Sequence, residues 1–293
     1  MKPIRIIFFI NSFLLINILF STLIFSQENL YKVEPIPNIG VSISQLPGSF
    51  YYPCGYPENL IFSNAYFPMH PMMFKDNGET FIDLQKNIPD VITCGIEDKF
   101  NPNILYITCA VEPFMKSEDG GTSWKKINPF GDDAYGERIT QDAEGTLYIL
   151  VGRWFKDYEC SELWVSNDKG ENWERVNVRK GRMKFKYGGI FGIWADPVIP
   201  KVLYVDVYSD YFRCFMVSED GGKNFKRREK GLPHRPDGYL PPYGFPLGQS
   251  SSPPYTIYYL YYTKKYYFYG GEKKGAFIYS SDNRGRNWKR NAF

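Results

Sequence analysis

The chain has 293 residues, 43% of them hydrophobic and 18% aromatic, and its 35 Lys and Arg against 32 Asp and Glu leave a net charge of +3. That length suits a single all-β domain with a sizeable core, and so small a charge, with both signs interspersed, makes no electrostatic case for nucleic acid or an anionic surface. Five cysteines without a Cys-x-x-Cys pair, and only two histidines (His70 and His234), leave almost no raw material for a zinc site or a Ser-His-Asp arrangement.

From the N-terminus, Met1-Lys2-Pro3-Ile4-Arg5 is followed by an apolar run, Ile6 to Phe25, and the small Ser26. This is the layout of a secretory leader. The run is about 20 residues, long enough to span a bilayer, so an uncleaved anchor is the alternative and the one route to a membrane. Its polar interruptions (Asn11, Ser12, Asn17, Ser21, Thr22) favour cleavage. The expected organisation is a signal peptide over 1–26 and an exported domain, secreted or periplasmic, over 27–293.

An eight-residue pattern then occurs five times. Three copies are close: Ser117 to Trp124 (SEDGGTSW), Ser166 to Trp173 (SNDKGENW) and Ser218 to Phe225 (SEDGGKNF). Two are looser: Phe74 to Phe81 (FKDNGETF) lacks the serine, and Ser281 to Trp288 (SDNRGRNW) has Asn283 in place of aspartate. Asp76, Asp119, Asp168 and Asp220 share the third position, and Gly78, Gly121, Gly170, Gly222 and Gly285 the fifth. The glycines recur roughly 40 to 60 residues apart, the kind of period that marks solenoids and propellers.

Each copy lies between two short strand-forming runs and reads as a hairpin turn. The aspartate side chain can accept from backbone N–H groups a residue or two on, the serine hydroxyl can do so more weakly, and glycine supplies a positive φ without a Cβ clash. The closing Trp124, Trp173, Phe225 or Trp288 offers a large apolar face for packing. Every recurring atom thus has a structural task.

The intervals between copies each hold four strands. The second repeat predicts strands over 91–96, 104–109, 114–117 and 123–127; the third over 138–141, 146–151, 163–166 and 172–176; the fourth over 190–194, 202–207, 215–218 and 224–226. A second recurring element, Leu105-Tyr106-Ile107, Leu147-Tyr148-Ile149 and Leu203-Tyr204-Val205, marks the second strand of each. In the last repeat, Gly231 to Pro254 is so rich in proline and glycine that it predicts a long surface loop. Strands are then expected over 255–262, 265–270 and 276–280. A final strand supplied by Leu30 to Ile36 would close the ring; a truncated coding sequence is the other explanation for where the chain stops. Cys160 and Cys214 precede equivalent turns, which allows one disulfide, and buried free thiols fit equally well.

The five turns resemble the Asp-box, or BNR, repeat of the sialidase-like β-propeller superfamily. That resemblance implies an all-β propeller of four-stranded blades, with five such blades recognisable and room for membership of a six- or seven-bladed ring. It also implies that the turns sit at the rim, away from the ligand. Gly136-Glu137-Arg138-Ile139, with Leu147-Tyr148 and Leu163-Trp164-Val165-Ser166, is similar to the two-propeller xyloglucanases and related endoglucanases, which hydrolyse a β-glucan with two aspartates facing across a cleft. In that family the first aspartate follows a Leu-Tyr or Val-Tyr strand. Here the stretch after Leu105-Tyr106 reads Ile-Thr-Cys-Ala, and Asp206 and Asp210 are the candidate acids, with Glu137 and Arg138 as cleft residues. Sialidase chemistry fits less well, because Arg138-Ile139 is followed by Thr140 and not by proline.

Three functions follow as expectations: an exported module binding a carbohydrate or a protein; a glycoside hydrolase acting on a polysaccharide; and a receptor or assembly factor of the kind built on sortilin-type or photosystem-assembly propellers. Polysaccharide or an extracytoplasmic protein is the expected partner, with no nucleic acid, cofactor or metal.

Overall fold

The fold is taken from a computed structural model that describes residues 50–51, 59–62, 72–75, 80–84, 87–88, 90–153, 161–177, 189–208, 213–234, 236, 238, 240, 244–249, 256–262 and 276–291. All of these lie in the unit Pro37–Phe293, into which the chain separates from Met1–Ile36. Among the described residues there are strands and turns and no helix. The leader, Asp76, Gly78, Asp210, Cys54, Cys160 and the segment 265–270 lie outside them.

Five antiparallel four-stranded sheets follow one another as blades. Blade one is β1 (Phe50–Tyr51), β2 (Asn59–Phe62), β3 (Met72–Lys75) and β4 (Thr80–Asp83); blade two is β5 (Ile92–Asp98), β6 (Asn101–Cys109), β7 (Met115–Ser117) and β8 (Lys125–Lys126). Blade three is β9 (Ala134–Gln141), β10 (Leu147–Arg153), β11 (Glu162–Ser166) and β12 (Glu174–Arg175). Blade four is β13 (Gly189–Ala195), β14 (Leu203–Tyr208), β15 (Arg213–Ser218) and β16 (Lys226–Arg227), and blade five is β17 (Gly244–Gln249), β18 (Ile257–Tyr262), β19 (Ala276–Ser281) and β20 (Lys289–Arg290). First strands of successive blades adjoin, β1 with β5, β5 with β9 and β9 with β13. The fourth strands of blades two to five are two residues each, exposed and charged. Short charged edges of this kind resist pairing with another chain. The architecture is a β-propeller.

Its core lies between blades. One buried cluster joins Ile96, Tyr106 and Phe114 of blade two to Ile139, Ile149 and Trp173 of blade three. Others join Leu150 and Leu163 to Val205 and Met216, and Tyr204 and Phe215 to Tyr259 and Trp288. Burial of these faces on both sides of each sheet is the main stabilising term.

The eight-residue turn closes each of blades two to five between its third and fourth strands. In blade two the Ser117 hydroxyl donates to Asp119 Oδ1 (2.8 Å) and accepts from the Gly121 N–H (2.8 Å), while Asp119 accepts from the Ser123 N–H (2.8 Å) and hydroxyl (2.6 Å). The same bonds recur around Ser166 and Asp168 and around Ser218 and Asp220; Asn283 Oδ1 takes the aspartate's place, accepting from Ser281 Oγ (3.0 Å) and the Asn287 N–H (2.9 Å). Donation from the Ser123 hydroxyl, then from the backbone and from Ser117, holds the Asp119 carboxyl at about 2. Its contribution to stability is therefore present above the ordinary aspartate range and lost as the pH falls through about 2.

Glycine at the fifth position does more than supply the positive φ of 83° at Gly170, 87° at Gly222 and 72° at Gly285. A Cβ would stand 2.6 Å from Phe114 at Gly170, 2.3 Å from Leu163 at Gly222 and 2.7 Å from Phe215 at Gly285, in each case on the third-strand edge of the preceding blade. The closing aromatic takes the same neighbour: Trp173 meets Phe114 edge-on at 5.0 Å and Trp288 meets Phe215 at 5.2 Å. The turn is thus also a latch between blades. Ser218→Ala, which strips a partner from the buried Gly222 N–H, is expected to cost about 1–3 kcal/mol; thermal unfolding measures it, and faster hydrogen exchange at that amide localises it.

One expectation requires correction. Gly231 to Pro254 is not loop throughout, because β17 lies inside it, pairing with β18. Pro246 is tolerated there because a first strand has one unpaired edge and because the register shifts beside it. In consequence the run 255–262 is the second strand of blade five, not its first. Cys94, Cys109 and Cys214 are buried free thiols, and burial pushes Cys214 up to about 12, which makes it inert.

Candidate functional site

Each blade has two ends. At one, the turns between strands one and two and between strands three and four are short and self-satisfied. Here the aspartates that terminate the first strands are buried structural groups: Asp98, Asp142 and Asp196 accept from Tyr106 Oη (2.9 Å), Tyr148 Oη (3.4 Å) and Tyr204 Oη (2.6 Å) and cap backbone N–H groups of their own turns. The recurring Leu-Tyr strand carries that tyrosine, but nothing in the sequence pattern showed that its hydroxyl has an acid to reach.

The opposite end, formed by the loops between strands two and three and the crossings between blades, carries an irregularity in every first strand of blades two to five. Register shifts leave one extra residue in each: Thr93 in β5, Glu137 in β9, Phe191 in β13 and Leu247 in β17. A bulge of this kind bends the strand and re-aims the side chain, and such bulges concentrate beside functional sites. Glu137 is the one ionisable residue among the four.

The Glu137 bulge is held from several directions. Gly136 lies so close to blade two that a Cβ would come within 2.1 Å of the Pro113 carbonyl oxygen and 2.7 Å of Thr108 Cβ. Thr93 Oγ1 donates to the Gly136 carbonyl (2.5 Å) and lies 2.9 Å from Thr108 Oγ1. Arg138, itself buried, donates from Nη1 to the carbonyls of Glu137 (2.7 Å) and Thr93 (3.1 Å), tying the two adjacent bulges together. These two bonds position backbone.

Glu137 itself is half-buried and accepts hydrogen bonds from Ser161 Oγ, at the start of the third strand, and from the Tyr135 hydroxyl. Burial lifts its carboxyl above the ordinary glutamate range, against the opposing pull of Ser161, Tyr135 and the nearby charge of Arg138. Burial, with the charge and hydrogen bond of Glu137, pushes Tyr135 up to about 12. The Tyr135 ring lies against Gly152, where a Cβ would stand 2.2 Å from it. Tyr135, Ser161 and Gly152 were not singled out in the sequence. They sit at ordinary positions in β9, the loop before β11 and β10, respectively, and strand pairing alone brings them together.

Several other carboxylates at this end have a cationic partner, while Asp90 accepts from the backbone N–H groups of Val91, Val111 and Glu112. Arg213 Nε donates to Asp206 Oδ1 (2.8 Å), and Arg213 Nη2 contacts Oδ2 in the second arm of a bidentate pair; both residues are buried. Arg153 binds Asp133 (2.7 Å) and Glu162 (2.6 Å), Lys126 binds Glu112 (2.9 Å), and Arg227 Nε donates to Glu229 (2.9 Å). Asp206 is thus committed to Arg213 of its own blade, and Asp210, the other candidate acid, lies outside the described residues. No cluster of three or more His, Cys, Asp or Glu able to hold a metal occurs among the described residues.

No protein-family model matches the sequence. No curated protein matches it either. Solved structures do. A protein of unknown function from Dyadobacter fermentans aligns over 80% of this chain and 79% of its own, at 14% identity and a TM-score of 0.50. The GH74 enzyme of Niastella koreensis aligns over 63% of this chain and 30% of its own (14% identity, TM-score 0.47), and YCF48 from Cyanidioschyzon merolae over 69% and 56% (14%, 0.45). The chain thus spans less than a third of that GH74 enzyme and little more than half of YCF48. At such identities the likeness speaks to fold alone.

Proposed function

We propose that this chain is an exported Asp-box propeller that binds a polysaccharide or an extracytoplasmic protein at the bulged end of its first strands, and does not hydrolyse its ligand. The observation that carries this reading is the state of Asp206. A general acid must hold and release a proton, and a nucleophile must have a free lone pair aimed at the sugar. A buried carboxylate gripped by both arms of a guanidinium does neither. The Glu137 and Ser161 side chains are, by contrast, partly exposed on a bulge whose backbone is held by Thr93 and Arg138, and a rigidly held, accessible edge is what a binding surface requires.

The test is incubation of the protein with a panel of plant and bacterial polysaccharides and, separately, with extracytoplasmic proteins, reading retention and new reducing ends. Retention without new reducing ends is the expected outcome. Release of reducing ends that disappears in Asp206→Asn would overturn the reading.

A further inference from the structure

A net charge of +3 conceals one concentration of cations. The segments 226–230 (KRREK) and 284–290 (RGRNWKR) lie in different repeats and together carry eight Lys and Arg and one carboxylate, Glu229. Folding lays them side by side. The Trp288 N–H donates to the Lys230 carbonyl (2.8 Å) and its indole N–H to the Arg228 carbonyl (2.8 Å), so the chain leaving β16 runs along the last turn and last strand of blade five. A Cβ at Gly285 would stand 3.2 Å from Arg228 Cβ, a second point at which the two segments meet. The result is one basic edge across the outer junction of blades four and five.

Lys226 and Arg227 in β16 and Lys289 and Arg290 in β20 are exposed, as are Lys230 and Arg286. The local acids do not balance them. Glu229 is buried and held by Arg227, while Glu219 is shared between Arg228 (3.4 Å) and Arg286 (3.5 Å), so that two guanidiniums divide one carboxylate. Asp220 and Asp282 of the adjoining turns reduce the excess without cancelling it. Among the described residues no carboxylate pairs with Lys226, Lys230 or Lys289.

The form of this edge selects among anions. Exposed cations hold a single small anion weakly, because solvent screens them; spread over two blades, they add up only for a ligand that carries many charges and engages them together. Five of the eight are arginines, whose planar fork matches carboxylate oxygens. A single-stranded nucleic acid would also need aromatic faces for its bases. Here Trp288 is buried against Phe215 and Tyr259, and Arg290 covers the Phe277 ring at 3.8 Å.

We propose that this edge binds an acidic polysaccharide, its uronate carboxylates spanning the cations of β16 and β20. It is a second surface, on fourth strands and not at the bulged first strands, and it rests on the reading above only in taking the ligand to be an extracytoplasmic glycan.

The experiment titrates the whole chain into fluorescein-labelled polygalacturonate, with the fully methyl-esterified polymer as its neutral counterpart, and reads fluorescence polarisation. The acidic polymer is expected to bind and the esterified one not, and binding should be lost at about 1 M salt, where the Debye length is about 3 Å. Arg286→Glu combined with Lys289→Glu is expected to weaken binding about tenfold or more. Lys125→Glu combined with Lys169→Glu makes the same change of net charge on blades two and three and should leave binding within about twofold. The esterified polymer alters the ligand alone, so the comparison holds even if a variant folds poorly. Equal binding of both polymers, no binding of the acidic one, equal loss in the two double variants, or tighter binding of single-stranded DNA or polyglutamate overturns the proposal. Retention of a neutral polysaccharide or a protein in that event leaves the reading of the bulged end standing, whereas new reducing ends from a neutral polysaccharide remove that reading and leave this edge unaffected.

Discussion

Gly136→Ala is expected to destabilise the protein by about 2–4 kcal/mol, the upper range for overpacking a tightly packed site. The cause is not backbone conformation, since Gly136 is not among the glycines with positive φ. It is that the new methyl would meet a main-chain oxygen, Pro113 O, at 2.1 Å and Thr108 Cβ at 2.7 Å. A flexible side chain can rotate away from such a clash; a carbonyl oxygen in a packed loop moves only if blades two and three separate. Separation would also lengthen the Thr93 to Gly136 bond and the Arg138 bond to Thr93, which together hold the Glu137 bulge. Urea denaturation should therefore show a lower midpoint, and the variant should lose ligand retention along with stability. Gly192→Ala, in the first strand of the next blade, is the control. Its Cβ would make only an ordinary contact with Asp206 Cβ at 3.7 Å, and a change within about 1 kcal/mol is expected.

Arg213→Ala is expected to cost about 3–5 kcal/mol, because it leaves Asp206 buried without its counter-ion. The loss arises less from the attraction removed than from the stranded charge, and that distinction can be measured. Replacing both partners by apolar residues of similar volume, Asp206→Leu with Arg213→Met, should recover most of the stability, since neither charge then has to be desolvated. Denaturation of Asp206→Leu, Arg213→Met and the double variant gives the coupling directly. The backbone of Arg213 also accepts from the Leu240 N–H (3.1 Å), and Leu240 is fully buried. An additional loosening of the connector between blades four and five in Arg213→Ala would show as faster exchange at Leu240. A double variant as unstable as Arg213→Ala would mean that the stranded charge is not the dominant loss.

These two experiments separate what a linear reading can and cannot reach. The turn was legible because its hydrogen bonds close within eight residues: Ser117 to Gly121 and Asp119 to Ser123 are local, so their residue types recur wherever the turn recurs. The strands of blades two to four were legible for the same reason, since a strand flanked by two such turns has little freedom. Blade five was misread where local composition misleads. Proline and glycine argued for loop over Gly231 to Pro254, yet β17 forms there because pairing with β18 and burial of Ile257 and Tyr259 outweigh the weak propensity of its own residues.

The candidate site was legible only as two residues of a motif. Glu137 and Arg138 are adjacent in sequence and looked like partners in one task. Folding gives them different ones: the register shift at Glu137 turns its side chain toward Tyr135 and Ser161, while Arg138 reaches across to the bulge of the neighbouring blade. Asp206 looked like a free acid because its partner lies seven residues on, across a strand pair, where no local pattern announces a salt bridge.

Short-range chemistry thus set the repeat, the four-stranded unit and the turn that closes it, because turns and hairpins are closed by neighbours in the chain. Which carboxylates are neutralised and which tyrosines find a buried acid depend on contacts between strands and between blades. Those contacts carry no sequence period, and so they become readable only when the sheets are packed together.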